Sequence, residues 1–397
     1  MRQLNFAATP NYAQELREVQ RLFRRDLNTP TQALIRQLLE QTMRDHVAHQ
    51  IQAGWHERQP DRRQGFRNGT YRRRLLTTVG EIVLEVPRTR EYRSPATAIL
   101  PAYARRMPGV DAMMRQMFLR GVSTRQVGPV LEALCGQRVS ATTVSALTAS
   151  LEQAARRFHE RALEDRYRYL LLDGVFLRVR EAGGVRRRVV LCAYGLTWDG
   201  ERELIDFQLG RYESEAAWES FLHRLYARGL TGARLELVVT DGNTGLHRAL
   251  GLVYPRVPRQ RCWAHKLRNL TDRMPRRLLS QCRRGLRAIY AADDRAAALR
   301  AFRRWRERWK TEAPRAVRSL EADLEELLTV YDCPIEHRIK LRTTNVIERC
   351  FREVRRRVRP MTLFANPRSC DRIIFAIFHR LNTEWRGHPL PELTQMA

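Results

Sequence analysis

The segment from residue 168 to residue 262 constrains the fold more than any other part of the chain, because strand-like and helix-like patterns follow one another there in a fixed order. Two turn pairs, Gly183-Gly184 and Asp199-Gly200, separate three apolar, β-branched segments: YRYLLLDGVFLRVR, RRRVVLCAYGLT and ERELIDFQLGR. After them come a helical segment, the strand ARLELVV, a second helix and the short strand RVPRQRCW. The pattern predicts a three-stranded antiparallel meander followed by two strands that helices connect.

This element order is that of the ribonuclease-H-like fold, in which the fourth strand lies beside the first. We therefore predict an α/β catalytic domain of this type, built from residues 166–262 and 336–362. Residues 263–335 have helical patterns, and so does TTNVIERCFREVRRRV at 343–358. A final amphipathic helix is predicted within the C-terminal segment, residues 363–397.

Three segments precede the predicted sheet: a helical region at 1–60, a basic and β-hairpin region at 61–106, and a helical region at 107–165. The hairpin pairs LLTTV with EIVLEV, and Pro87 is predicted to end it. The helical region contains the helix TRQVGPVLEALC, a short turn and a second helix capped by Ser140. Helix, turn, helix is typical of a DNA-binding motif, with Thr142 and Thr143 near the start of the second helix, and also of an ordinary helical hairpin.

The chain carries a large excess of positive charge. Its 72 Lys and Arg residues and 43 Asp and Glu residues give a net charge of +29, and only three of the 72 are lysine. Such a charge indicates a polyanionic partner and argues against a small-molecule metabolic enzyme. We find no apolar run of membrane-spanning length, no signal peptide and no disulfide pattern among seven scattered cysteines. These features predict a cytoplasmic nucleic-acid-binding protein without a membrane partner.

The densest basic segment is RRQGFRNGTYRRR at residues 62–74, with six arginines and no acid. Its Gly and Asn residues indicate a loop. A solvated linker and an arm on DNA phosphates both fit, and the charge density favours the arm. The candidate DNA-binding residues are Arg62, Arg63, Arg67, Arg72, Arg73 and Arg74.

Three carboxylates differ from the many that lie beside arginines on predicted helices. Asp173 interrupts an apolar strand, where a carboxylate is costly unless it is paired or bound to a metal. Asp241 follows the fourth strand, so it would lie next to Asp173 if the first and fourth strands are neighbours. Glu348 lies one turn into a basic helix, and its spacing fits an intrahelical ion pair with Arg352 as well as a metal ligand. Clustered carboxylates suit Mg²⁺, with Mn²⁺ as a substitute, and phosphodiester chemistry.

Several motifs together resemble those of the bacterial Mutator-type transposases, in order and over nearly the whole chain. LLLDGVF resembles the strand with the first aspartate, VVTDGNTGLHRAL the second-aspartate motif, and TTNVIERCFREVRRR the motif with the catalytic glutamate. The resemblance extends to ESEAAWESFLHRLYARGL, to the Cys-x-x-His of QRCWAHKLRNL, to RNGTYRRRLLTTVGEIVLEVPRTR and to GVSTRQVGPVLEALCGQRVSATTVS.

The resemblance implies a DDE recombinase that nicks DNA at element ends and joins the exposed 3′-hydroxyl to target DNA. Asp173 and Asp241, 68 residues apart, would be its aspartates, and Glu348, 107 residues further on, its glutamate. Residues 263–335 would be an all-α insertion. The implied partner is double-stranded DNA, of element ends and target. Pairing two ends requires at least a homodimer, and a bacterial nucleoid would be the location.

Supporting roles are predicted for five further residues. Cys262 and His265 lack the two further ligands of a zinc site, so we expect them to position Asp241 or contact DNA. Trp305 and Trp309 fit both packing between helices and stacking on an unpaired base, and Asn345 could orient a phosphate or the metal. Phosphate contacts are predicted for Arg349, Arg352, Arg356 and Arg357.

Two other functions remain open from the sequence. A catalytically inactive or domesticated DNA-binding regulator on the same fold would lack one of the three acids, and none is missing. A metal-dependent nuclease would explain the acids but not the predicted helix-turn-helix region. Terminal inverted repeats beside the gene would favour a transposase.

Overall fold

A computed structural model of the 397-residue chain describes residues 28–57, 61–90, 96–100, 104–119, 122, 124–359 and 363–394. The chain divides into two compact units, Met1–Thr148 and Ala149–Ala397, and each is described by itself. Among the described helices, none combines the length and the apolar character that crossing a membrane requires.

The N-terminal unit packs one long helix against a β-hairpin. The elements are α1 (Asn28–Ile51), β1 (Arg67–Thr77), β2 (Gly80–Thr89), α2 (Ala96–Ile99), α3 (Pro108–Leu119) and α4 (Thr124–Cys135); α5 (Ala141–Glu160) contains the boundary between the units. Met43 of α1 is fully buried with Leu75 and Leu84 of the hairpin, so the apolar face of the helix supplies this small core. In the helical region predicted at 1–60, the described helix is α1, residues 52–57 form turns and coil, and residues 1–27 and 58–60 lie outside the described part.

The predicted loop at 62–74 is wrong for its second half, because β1 begins at Arg67. A register shift between Arg67 and Thr70, with Gly69 at φ +69°, admits the Asn-Gly pair into the strand as a bulge. Pro87 does not end β2, which continues to Thr89. A two-stranded sheet has free edges, where the missing N–H of a proline costs no ladder hydrogen bond.

The turn between α4 and α5 is closed by local contacts. Gly136 takes φ +71°, a conformation that favours glycine, and ends α4. Ser140 caps α5, since its Oγ accepts the Thr143 N–H at 3.1 Å. A Cβ on Gly128 would lie 2.4 Å from the Val139 carbonyl oxygen, so α4 approaches the turn closely. Ser123, a residue type that favours helix caps and directly precedes α4, lies outside the described residues.

The C-terminal unit is built on a five-stranded mixed sheet. Its strands are β3 (Tyr167–Glu181), β4 (Gly184–Thr197), β5 (Arg202–Gly210), β6 (Leu237–Thr240) and β7 (Arg259–Arg261), in the order β5-β4-β3-β6-β7. β3, β4 and β5 form the antiparallel meander, and β6 and β7 are added parallel to β3. The predicted neighbourhood of the first and fourth strands is confirmed.

Helices surround this sheet: α6 (Glu215–Ala227), α7 (Thr244–Val253), α8 (Trp263–Thr271), α9 (Leu279–Tyr290), α10 (Arg295–Trp309), α11 (Pro314–Ala322), α12 (Leu324–Leu328), α13 (Arg338–Leu341), α14 (Asn345–Val358), α15 (Pro367–Trp385) and α16 (Pro391–Thr394), with 3₁₀ turns at Arg276–Leu278 and Thr329–Asp332. Trp218 and Leu222 of α6 are buried with Leu170 and Leu191 of the sheet, in the main core of the unit. Residues 263–332 contain helices and no strand.

A buried charge network lies at the edge of the sheet. Asp206 of β5 is fully buried, and it receives hydrogen bonds from Arg228 (2.5 Å) and from His159 of α5 (2.6 Å). The other ring nitrogen of His159 lies 3.2 Å from Asp371. Burial disfavours the charged imidazole, but the hydrogen bonds and charges of the two carboxylates outweigh burial and raise the pKa of His159 to about 9.

This raised pKa predicts a pH-dependent stability. The ordinary histidine pKa is about 6.5, so the stabilisation by His159 is fully present below that pH and disappears as the pH rises through about 9. We expect the free energy of unfolding of the wild type to exceed that of His159→Gln most at pH 6. Urea titrations from pH 6 to pH 9.5 should show the difference shrinking, and a constant difference would contradict the assignment.

Candidate catalytic centre

Asp173 lies in the middle of β3, within the apolar run that forms the centre of the sheet. Its side chain is 2% exposed, and its Oδ2 is buried without a hydrogen-bond partner among the described residues. Burial raises the pKa of Asp173 to about 7; the charges of Asp241 and Glu348 add to the rise, and His265 opposes it. A buried carboxylate with an unpartnered oxygen is costly for the fold, which is typical of a functional group.

Asp241 is brought beside Asp173 by the pairing of β3 with β6. Leu172 of β3 pairs with Thr240 of β6 in the parallel register. Asp173 and Asp241 directly follow these two residues, so they lie side by side. Asp241 Oδ1 accepts the backbone N–H of Asn243 at 2.9 Å, and this bond fixes the turn that leads into α7. The predicted juxtaposition of the two aspartates follows from this register.

Glu348 approaches the same centre from α14. Its Oε1 lies 3.8 Å from His265 Nε2 and 3.6 Å from an Arg268 nitrogen, and both residues belong to α8. The ion-pair partners are therefore on another helix, and the anticipated pair with Arg352 of the same helix is not what holds the carboxylate. Asn345 forms the first turn of α14, half-buried, and Arg349 is exposed.

Cys262 and His265 form a pair at the start of α8. The Cys262 thiol is fully buried, and its Sγ accepts the Thr344 N–H at 3.3 Å, which joins this turn to the start of α14. Hydrogen bonding to Cys262 raises the pKa of His265 to about 9, and the charges of Asp173 and Asp241 contribute. His265 thus places a positive charge among the carboxylates.

Glu213, which the sequence analysis did not single out, lies at the same centre. A Cβ built on Gly174 would be 2.7 Å from Glu213 Oε1, so the carboxylate lies directly against the backbone next to Asp173. Trp218 donates its indole N–H to Glu213 Oε1 at 3.3 Å. Burial and the charge of Asp241 raise the pKa of Glu213 to about 7. In the sequence, Glu213 only precedes a helix cap, a position that many surface acids share.

The carboxylate oxygens at this centre are the type of ligand that an oxygen-preferring divalent cation requires. The buried, unpartnered Oδ2 of Asp173 and the neighbouring carboxylates are hard oxygen donors of the kind that Mg²⁺ binds. The described residues do not contain a closed group of three or more His, Cys, Asp or Glu side chains that could hold an ion as they stand. Glu348 is engaged by His265 and Arg268, so its carboxylate would have to leave these partners to complete a site.

A basic groove of about 590 Å³ lies between β3 and the second half of α14, the helix that carries Glu348. Phe176, three residues beyond Asp173 on β3, is 37% exposed and contributes to the apolar part of the lining. The arginines that line the groove are Arg178, Arg352, Arg355, Arg356 and Arg359. Of the predicted phosphate contacts, Arg352 and Arg356 lie here, whereas Arg357 is only 2% exposed because its side chain points into the packed side of the helix.

The six arginines predicted as an arm in the N-terminal unit differ in their exposure. The exposed members are Arg62, Arg72 and Arg74. The other three bond to carbonyl oxygens of the unit: Arg63 to Gly65, Arg67 to Ala53 and Gly54, and Arg73 to Ala104. Thr142 is exposed at the start of α5, and Thr143 shares a hydrogen bond with the Ser140 hydroxyl at 2.9 Å.

Trp305 and Trp309 are core residues of the helical stretch, 3% and 2% exposed. Their packing on α9 is tight, since a Cβ on Gly285 would lie 2.6 Å from the Trp305 ring. Both rings reach the lining of a cavity of about 290 Å³ that also includes Arg304 and Arg308. In this conformation, both tryptophans pack between helices, which is the first of the two roles that the sequence allows.

Comparison with known proteins identifies the family. The family model described as "Transposase, Mutator family" matches residues 10–387. The transposase of insertion sequence element ISRM5 from Rhizobium meliloti is 36% identical over 89% of this chain and 87% of its own length. The transposase of IS256 in transposon Tn4001 from Staphylococcus aureus is 35% identical over 88% and 89%, and that of IS406 from Burkholderia multivorans 37% over 81% and 83%. The chain belongs to the Mutator family of transposases.

Proposed function

We propose that this protein is a DDE transposase with a ribonuclease-H-like catalytic domain. It binds the terminal inverted repeats of its own insertion element, and it cuts one strand and joins it to target DNA with Mg²⁺ or Mn²⁺. The observation that carries the proposal is the adjacency of Asp173 and Asp241 on neighbouring parallel strands, with a buried Asp173 oxygen that has no described partner. The named relatives are transposases of insertion sequence elements, which supports the same reaction for this chain.

Each residue of the centre has a part in this chemistry. A bound divalent cation supplies activation of the attacking water or 3′-hydroxyl and stabilisation of the leaving oxygen. Asp173 and Asp241 would hold that cation, and Glu348 of α14, which now lies against His265 and Arg268, would be the third ligand. The positive charge on His265 lowers the repulsion among the carboxylates and lies within reach of a phosphate that enters the centre.

DNA binding is proposed for two surfaces, each within its own unit. In the C-terminal unit, the arginines of the basic groove lie on β3 and on α14, the helix that carries Glu348, and they can neutralise phosphates of the bound DNA. In the N-terminal unit, α4 and α5 are proposed as a helix-turn-helix that presents Thr142 to the end repeat, with Arg62, Arg72 and Arg74 on the phosphates. Two copies, one for each end, are the smallest active assembly.

The proposal is tested by strand joining on the element's own ends. Purified protein with Mn²⁺, a labelled end duplex and a supercoiled target plasmid should yield joined product, and an end duplex with scrambled repeats should not. Cleavage of both duplexes alike, without joining, would indicate a nuclease. Tight and specific end binding without either reaction would indicate a regulator.

Binding of end DNA should weaken steeply as salt increases, because many arginines displace condensed counterions. Arg352→Gln removes one exposed cation of the basic groove, and we expect the slope of log affinity against log salt to fall by about one. Arg248→Gln is the matched control, because Arg248 is exposed but already paired with Glu215 at 3.1 Å. Fluorescence anisotropy measures both slopes. An unchanged slope for Arg352→Gln would mean that Arg352 does not contact a DNA phosphate.

A further inference from the structure

We propose that Thr344 is a positioning residue of the catalytic centre, which fixes the carboxylate of Asp173 and the start of the helix that carries Glu348 in one geometry. The inference rests on the proposed function, since it concerns two acids of that reaction. Thr344 is assigned no contact with DNA or with a cation. It acts through the two acids that it holds.

The backbone around Thr344 is held by the start of α8. Thr344 is fully buried, and its N–H donates to Cys262 Sγ at 3.3 Å. Two residues earlier, the Arg342 carbonyl oxygen accepts the N–H of Trp263 at 2.9 Å. The two bonds run in opposite directions between the same two segments, so they fix both the position and the direction of the chain that enters α14.

The Thr344 hydroxyl reaches the first aspartate. Its Oγ1 lies 3.5 Å from Cys262 Sγ, and the Thr344 side chain also hydrogen-bonds to the Asp173 side chain. The hydroxyl has a single proton, and a carboxylate accepts hydrogen bonds more strongly than sulfur does, so the hydroxyl donates to Asp173. Oδ2 of Asp173 has no hydrogen-bond partner among the described residues, so the bond from Thr344 takes the other oxygen, Oδ1. Thr344 thereby fixes the rotation of this carboxylate.

Thr344 also begins the helix that carries Glu348. Its carbonyl oxygen accepts the Ile347 N–H at 2.9 Å, and Glu348 is the next residue. Glu348 is therefore about one helical turn from the residue that bonds to Asp173. Thr344 thus connects β3, α8 and α14, the three elements that carry Asp173, His265 and Glu348. Because reacting groups must be held closely in place, a hydroxyl with these contacts affects the rate of joining without touching the DNA.

Thr344→Val and Thr344→Ser separate the hydroxyl from the shape of the side chain. Valine keeps the branched shape and lacks the hydroxyl, whereas serine keeps the hydroxyl and lacks a methyl group. Strand joining by the full-length protein is measured in single turnover with saturating Mn²⁺ and end duplex. We expect Thr344→Val to lower the joining rate by about 10- to 100-fold, and Thr344→Ser to join at nearly the wild-type rate. Affinity for end duplex should be unchanged in both variants, because Thr344 is fully buried.

A role in packing alone predicts the opposite order of the two variants, since serine leaves a cavity and valine does not. Slower joining by Thr344→Ser than by Thr344→Val would therefore overturn the inference. Circular dichroism measures folding. If Thr344→Val does not fold, Thr344→Ala, which also lacks the hydroxyl, takes its place and should show the same loss of joining.

Thr197→Val is the matched control, because it removes a buried hydroxyl from the same unit. Thr197 is 5% exposed, and its Oγ1 accepts the Glu201 N–H at 3.0 Å in the turn between β4 and β5. Thr197 pairs with Tyr167 at the start of β3, away from Asp173. The control variant should join strands like the wild type. An equal loss of joining in Thr197→Val and Thr344→Val would show that the effect is general and would contradict a special role of Thr344.

The inference and the proposed function can fail separately. If Thr344→Val joins at the wild-type rate while Asp173→Asn does not join, Thr344 is not a positioning residue and the proposed function stands. If Asp173→Asn retains joining, the proposed function fails and the inference fails with it.

Discussion

Asp173→Asn is expected to abolish strand joining and to leave binding of end DNA within about twofold of the wild type. In the proposed mechanism, the substitution removes a charge that a divalent cation would need at the centre of the sheet, and strand joining would lose the activation that the cation would supply. The arginines proposed to bind end DNA lie elsewhere on the surface, so anisotropy with end duplex should hardly change. Asp241→Asn and Glu348→Gln should have the same two effects.

The same substitution should also stabilise the metal-free protein. The pKa of Asp173 is raised to about 7, so the cost of its buried charge is absent near pH 4 and complete above pH 7. Asn at this position carries no charge, and the melting temperature of Asp173→Asn should therefore exceed that of the wild type at pH 8, and the gain should vanish near pH 4. A variant that joins strands normally, or that melts lower at pH 8, would contradict the assignment of Asp173.

Asp206→Ala is expected to cost about 3–5 kcal/mol of unfolding free energy, the largest stability effect proposed here. The substitution leaves Arg228 and the charged His159 without their shared acceptor in a site where Asp206 is fully buried. Arg224, 3.5 Å from the same carboxylate, loses its partner as well. Urea unfolding at pH 7 measures the effect.

Asp371→Ala is the control for the Asp206 network. Asp371 contacts His159 at 3.2 Å, but its side chain is 37% exposed and water can replace it. Its removal should cost less than about 1 kcal/mol. Equal losses for the two variants would mean that the network is not organised around Asp206.

The sequence predicted those features that local patterns encode. The turn pairs at Gly183-Gly184 and Asp199-Gly200 fixed where the meander reverses, and the observed turns have glycine at positive φ in both places. Asp173 stood out because it interrupts an apolar strand, and Asp241 because it ends one. Their adjacency then followed from a single topological assumption, the pairing of β3 with β6, which the structure bears out.

Features that depend on long-range contacts were not predictable in the same way. Asp206 meets His159 across 47 residues and Arg228 across 22, and no local pattern separates this aspartate from a surface acid. Arg357 looked like its exposed neighbours Arg355 and Arg356, yet helix periodicity turns it inward. The first part of β1, residues 67–74, was missed because its bulge contains the Asn-Gly pair that usually marks a loop.

The amino-acid sequence by itself determined the order of strands and helices and the position of two acids at strand centres and ends, because side-chain periodicity and turn chemistry act over a few residues. Only the tertiary structure decided which charges meet. Glu213 reaches Gly174 once the meander has brought β5 back and α6 has packed Trp218 into the core. Glu348 meets His265 because Cys262 and Thr344 join the starts of α8 and α14. Electrostatic partnership depends on distance in space, and folding alone sets that distance for residues far apart in the chain.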